Sequence, residues 1–317
     1  MKAIEIKNLT KYYGKSRGIV DLNLSVEEGD FFGFIGPNGA GKSTTIRTLL
    51  GLITPTSGSA AILNQECGVS KTQILRQVGY MPSEAFYYDD MKVKEVMKLA
   101  AGLHGKDCSK EASNLCERLQ LDTGKKIEQL SLGNRKKVSI VCALQHMPRI
   151  CILDEPTSGL DPLMQQEFFK ILQERNRQGT TIFLSSHILQ EIQKYCHSAG
   201  IIREGTLIRC GSVEELSHSN ARRVTFTTAK GTESFLYQGE ISELLKRLQG
   251  VEKEGNVLQD LTITEPTLDE IVMHYYEKES RTDGEYRMLL YKERMKCFIY
   301  IFMSVNRTGN CLPFGLQ

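Results

Sequence analysis

Apolar and polar residues alternate at the start of the chain, and this period of two predicts strands over Ala3–Leu9 and Leu22–Val26. The next run, Phe31–Gly36, is almost wholly apolar and predicts a buried strand, followed by a helix over Ser43–Leu50. A short strand at Ala60–Leu63 and an extended segment at Gln77–Tyr80 come next. From about Met91 to Met147 the spacing lengthens to three and four, with Val93, Val96, Met97, Leu99 and Ala100, then Leu115, Leu119 and Leu121. That period predicts helices. Strand character returns at Ile150–Leu153, with a helix over Pro162–Gln173, a strand at Thr180–Leu184 and a helix from His187. Strands alternating with helices imply an α/β fold on a largely parallel sheet, with a helical insertion in its middle. Beyond Leu216 the regularity ends. Strands at Arg223–Thr228 and Ser234–Tyr237 and helices over Ile241–Leu248 and Leu268–Glu277 suggest a small α+β piece.

The expected organisation is therefore a nucleotide-type α/β domain over 1–215, whose helical subdomain spans about 85–148, and an α+β extension over 216–285. Residues 286–317 form a separate tail. It carries Arg287, Lys292, Arg294, Lys296 and Arg307 against Glu293, and one apolar run, Cys297–Met303. Seven residues are too few to span a bilayer. The tail reads as a disordered extension or an accidental readthrough of coding sequence, with a membrane-surface segment as the alternative. Elsewhere, 40 basic and 38 acidic residues nearly cancel, which gives no electrostatic case for nucleic acid. Nine cysteines form no C-x-x-C pair, and several lie inside apolar runs, as Cys151 does. They suit buried thiols in a reducing compartment. The first residues lack the long apolar core of a signal peptide.

The sharpest chemistry follows the buried strand. Gly36-Pro37-Asn38-Gly39-Ala40-Gly41-Lys42-Ser43-Thr44 has the spacing G-x-x-x-x-G-K-[ST] at a strand-to-helix junction. Its glycines let successive backbone N–H groups turn inward on a polyphosphate, and the helix start aims its positive end at the same anion. Lys42 would reach the β/γ-phosphates, and the Ser43 hydroxyl would ligate Mg²⁺. A glycine-rich surface turn is the bland alternative, and the flanking strand and helix weigh against it.

About 110 residues later, Ile150–Glu155 reads as a buried strand ending in two carboxylates. Asp154 would hold Mg²⁺, and Glu155, at the strand tip, would orient or deprotonate an attacking water. Alone, such a pair is also compatible with ordinary surface charge.

At this point the chain resembles a family, the ATP-binding subunits of ABC transporters. Leu130-Ser131-Leu132-Gly133-Asn134 is similar to that family's Leu-Ser-Gly-Gly-Gln signature, and Pro156–Asp161 looks like its D-loop. His187 looks like its switch histidine, and Tyr13 stands where members stack an aromatic ring on adenine. No Asn-Lys-x-Asp guanine signature occurs. The resemblance implies the P-loop NTPase fold of the ABC ATPase type, an α/β mixed sheet with a helical subdomain insertion, and two ATPase copies, a homodimer or a pair of paralogues, facing head to tail. Ser131, Gly133, Asn134 and Asp161 of one would then meet ATP on the other, and His187 would bond the γ-phosphate. Without the family, Ser131 and Gly133 already precede a helix and so supply an anion site at its start. Two positions depart from the pattern. Leu132 and Asn134 replace glycine and glutamine in the signature. Ser83, in Gly79–Glu84, stands where the family carries a Mg²⁺-binding glutamine, a role that falls to Ser83 or to Glu84.

The single ATPase unit and the C-terminal piece resemble ABC-2-type exporters of drugs and peptide antibiotics, with Pro266–Met273 like that group's closing helix. The resemblance implies an ATPase, using ATP and Mg²⁺, that energises a separate multi-span membrane permease docked on the helical insertion. It would sit in the cytoplasm, peripheral on the inner face of the cell membrane. The alternatives are an ABC ATPase acting in translation or repair, and a low-turnover ATP-dependent regulator.

Overall fold

The computed structural model describes residues 1–217, 221–229, 231–253, 257–266 and 270–271. The chain divides into two compact units, Met1–Ser217 and His218–Gln317.

The first unit opens with a hairpin of β1 (Lys2–Tyr13) and β2 (Ser16–Glu27). Strand β3 (Phe31–Ile35), buried at every residue, leads into α1 (Lys42–Leu49). Then come β4 (Ser57–Ile62), β5 (Gln65–Glu66), α2 (Lys71–Leu75) and β6 (Val78–Met81). The helical insertion consists of α3 (Val93–His104), α4 (Ser109–Arg118), a 3-10 turn at Ile127–Gln129 and α5 (Leu132–Leu144). The chain returns through β7 (Ile150–Asp154), α6 (Pro162–Arg177), β8 (Thr181–Ser186) and α7 (Leu189–Tyr195). It closes with β9 (Ser198–Arg203), β10 (Thr206–Ser212) and α8 (Val213–Ser217).

These strands form the expected largely parallel sheet and, beside it, a second antiparallel sheet. A four-stranded antiparallel sheet has the order β2-β1-β4-β5, and a six-stranded sheet has the order β10-β9-β3-β8-β7-β6. In the second sheet every pairing is parallel except that of β10 with β9 at the edge. The split follows burial. Strands β3, β7 and β8 are buried on both faces, as parallel strands under helices must be. Strand β2 alternates buried and open positions from Leu22 to Glu27, as an antiparallel strand with one wet face does. The β9–β10 hairpin turns at Glu204 and Gly205, both with positive φ (49° and 81°), a geometry that matches the strands' twist. Between the sheets lies a core that joins Ile4, Leu22 and Ile62 to Phe32, Phe34, Ile46, Ile152 and Phe183. The helix expected from His187 begins at Leu189, because the Ser186 hydroxyl first accepts the Ile188 N–H (2.9 Å).

In the second unit, β11 (Ala221–Thr228) lies between β12 (Gly231–Gln238) and β13 (Leu258–Thr264), with α9 (Ile241–Lys253). Strand β13 was not visible in the sequence pattern. Val224, Phe226, Tyr237, Leu244 and Leu248 form its core. Of the segment Pro266–Met273 only Pro266, Glu270 and Ile271 are described, and most of the helix expected over Leu268–Glu277 and all of the 286–317 tail lie outside the described residues.

Candidate functional site

Strand β3 runs in the interior of the six-stranded sheet, between β9 and β8, and its C-terminal end releases Gly36–Gly41 directly onto the start of α1. Gly41 is the N-cap of α1 with φ 108°, a conformation open to glycine and strained for any other residue. A Cβ there would also meet Ile19 at 2.9 Å. Lys42 is buried, and its ammonium donates to the carbonyls of Gly36 (2.6 Å) and Pro37 (3.2 Å). The loop forms one wall of a cleft of about 210 Å³. Residues 37–44, Tyr13, Arg17, Gly18 and Glu155 line it. The Tyr13 ring is half exposed at the mouth, with the Lys11 ammonium 5.4 Å from its centre.

The two carboxylates at the end of β7 have different surroundings. Asp154 is 1% exposed and accepts a 2.5 Å hydrogen bond from the Ser185 hydroxyl on β8, the neighbouring strand. Glu155 leaves the strand with φ 47°, a left-handed conformation unusual for a non-glycine residue. Its backbone N–H donates to the Ser185 carbonyl (3.1 Å). The turn swings its carboxylate into the cleft, where one oxygen lies 3.3 Å from Lys42 Nζ and 3.4 Å from His187 Nδ1. Lys42, Glu155 and His187, far apart in sequence, therefore meet at one point. The His187 backbone is flanked by a fixed turn, since Ser186 Oγ also donates to the buried Glu191 carboxylate (2.8 Å).

The signature segment lies at the start of α5. Ser131 is the N-cap and its hydroxyl accepts the Asn134 N–H at 3.4 Å. Asp161 is likewise the N-cap of α6 and accepts the Met164 N–H at 3.0 Å. The two segments touch. A Cβ on Gly133 would lie 2.8 Å from the Gly159 carbonyl, and the exposed Leu132 side chain rests over Gly159. Ser83 follows β6, and its carbonyl accepts from Lys136 Nζ at 2.7 Å.

The donors expected for Mg²⁺ are hard oxygens, of which the Ser43 hydroxyl lines the cleft whereas the Asp154 carboxylate and Ser83 are not among its lining residues. This set fits a cation that keeps several waters and takes phosphate oxygens as further ligands. Among the described residues no cluster of three or more His, Cys, Asp and Glu forms a metal cage. Cysteine chemistry is also absent from the cleft, and burial pushes the Cys151 thiol up to about 12.

Four further residues are not marked by the sequence pattern. Ser185 orients Asp154, and the hydroxyl pair Ser185–Ser186 directly before His187 was its only sequence signal. Arg17 and Gly18 line the cleft from β2, where nothing in the pattern marks them. Lys136 lies in the basic run Arg135–Lys137, where the sequence alone gives no sign of burial, yet it is 5% exposed. Burial pulls its pKa down, against the attraction of Asp154, Glu155 and Glu84.

Comparison with known proteins agrees with this geometry. The family described as ABC transporter matches residues 19–158. The bacitracin transport ATP-binding protein BcrA of Bacillus licheniformis is 39% identical over 230 residues, covering 70% of this chain and 74% of that protein. Among solved structures, an ATP-binding subunit of an ABC transporter superposes with TM-score 0.65 at 30% identity, covering 68% of this chain and 91% of the other. A dimeric ATP-binding cassette in a post-hydrolysis state, bound to ADP and Pi, shares the fold with TM-score 0.61 at 24% identity, covering 66% of this chain and 98% of the other.

Proposed function

This chain belongs to the ATP-binding subunits of ABC transporters, and from that premise we propose that it hydrolyses ATP between two copies to drive export through a separate membrane permease. The observation that carries the chemistry is the meeting of Lys42, Glu155 and His187 at the foot of the phosphate loop. The backbone of Gly36–Thr44 receives the β- and γ-phosphates, and the Tyr13 ring stacks on the adenine. Lys42 already lies against two carbonyls and a carboxylate, so a phosphate oxygen replaces one acceptor by a stronger one at little cost in reorganisation. Glu155 takes a proton from the attacking water, and His187 holds the γ-phosphate side of that water. Ser43, Asp154 and Ser83 would hold Mg²⁺, which when bound offsets charge on the phosphate oxygens. Ser185 keeps the Asp154 carboxylate in one orientation for that task.

Ser131, Gly133, Asn134 and Asp161 act on the ATP of the second copy. Support comes from the contact of Gly133 with Gly159, which joins signature and D-loop into one exposed face, and from the dimeric cassette of the same fold. The permease docks on the helical subdomain, where Phe86 (89% exposed), Tyr88, Leu99 and Leu103 present apolar surface that a lone subunit has no reason to expose. No helix among the described residues is long and apolar enough to cross a membrane. As the partner of a separate permease, the subunit would be peripheral, on the cytoplasmic face. The name of BcrA supports a peptide-antibiotic cargo for the permease.

Glu155→Gln tests the chemistry. Steady-state ATP turnover should fall at least about a hundredfold while ATP affinity is kept. Unchanged turnover would remove Glu155 as the hydrolytic residue.

A further inference from the structure

The loop that follows β6 is held by a single face of α5. Lys136 Nζ donates to the Ser83 carbonyl at 2.7 Å, and Ser139 Oγ and the Tyr87 hydroxyl share a hydrogen bond at 2.9 Å. Positions 136 and 139 are one turn apart on a helix, so the two ties lie one above the other and grip the loop at both ends. Both α5 residues are buried, at 5% and 3% exposure. Burying an ammonium is costly unless partners offset it. An apolar side chain at 136 would fill the space without that cost, so a lysine here calls for a task.

We propose that Lys136 is a positioning residue for ATP turnover, fixing the loop after β6 to the signature helix. The inference rests on the ATPase reading above. Helix α5 starts at Ser131, and Lys136 stands one and a half turns further along the same rigid element. Any shift of the Ser83–Tyr88 loop is thus passed to the signature without a flexible linker. The apolar Phe86 and Tyr88, at the outer end of the loop, are the surface on which such a shift would be imposed.

The test is the steady-state ATPase activity of the full chain with Lys136→Met, which keeps the stem and removes the donor, and with Lys136→Arg, which restores a donor. Lys136→Met should lower kcat about tenfold or more with KM for ATP within about twofold, and Lys136→Arg should recover most of the loss. A normal kcat per folded molecule in Lys136→Met overturns the proposal, as does a loss confined to thermal stability. If Lys136→Met does not fold, Tyr87→Phe removes the second tie, and an unchanged kcat there overturns it too. Loss of turnover in Glu155→Gln together with normal turnover in Lys136→Met removes this inference alone. Intact turnover in Glu155→Gln removes the ATPase assignment of Glu155 beneath it.

Discussion

Two helices of the first unit begin at anion-binding sequences, and they begin differently. Helix α1 starts from Gly41, which has no side chain with which to cap it. Its leading N–H groups face a cleft whose lysine is buried and whose backbone turn only glycine tolerates. Helix α5 starts from Ser131, which is exposed and caps its own helix through the Asn134 N–H. The first is a finished cradle within one chain. The second spends its hydroxyl on itself and lies open on the surface, which suits a site that acts only when a second molecule arrives. The difference separates what each variant should damage.

The largest effect is expected from Lys42→Ala, which removes a buried cation from the cradle. The dissociation constant for ATP, measured by calorimetry on the single chain, should rise about a thousandfold. An unchanged constant would break the reading of α1 as the primary phosphate site.

The far ends of the helices sharpen the contrast. Helix α1 ends in the apolar core at Leu49 and Leu50, whereas α5 is followed by His146, stacked on His104 with ring centres 3.6 Å apart. Burial, and then the neighbouring His104, lower the His146 pKa from 6.5 to about 4. Between those values the unfolded chain holds more protons than the folded one, so stability falls as pH drops. About 3 kcal/mol should be lost by pH 4 relative to neutral pH. His146→Phe keeps a stacked ring and removes the titration, so denaturant unfolding of this variant should show a flatter pH dependence. Equal slopes in both proteins would contradict the assignment.

The smallest effect is expected from Ser131→Ala. Loss of the cap should cost about 1 kcal/mol in unfolding free energy. ATP affinity of the single chain should stay within about twofold, while turnover falls several-fold. A rise in the dissociation constant matching that of Lys42→Ala would show that both helix starts serve the same chain's nucleotide.

The cradle half was far more legible in sequence than the rest. Gly36–Thr44 is a local device: its turn, helix start and lysine are adjacent along the chain, so spacing alone reveals them. Asp154 and Glu155 were legible as the end of an apolar run. The positive φ that turns Glu155 toward Lys42 was not, because no glycine marks it. The partition into two sheets was also hidden. It depends on β1 pairing with β4 and β3 with β8 and β9, choices across long stretches that periodicity does not encode. The β9–β10 hairpin escaped because β10 is only partly buried along its length, so no apolar period marks it. Lys136 escaped as well. Nothing local marks which lysine of the run Arg135–Lys137 the helix turns inward, and both Lys136 and Lys137 are buried.

The central claim is that Gly36–Thr44 of one copy and Ser131–Asn134 of another close on the same ATP. Sedimentation of Glu155→Gln with saturating ATP tests it most directly, since that variant should bind nucleotide without consuming it. The account predicts an ATP-dependent dimer that reverts to monomer when Ser131→Ala is added. An ATP-saturated Glu155→Gln chain that stays monomeric at every protein concentration would contradict it.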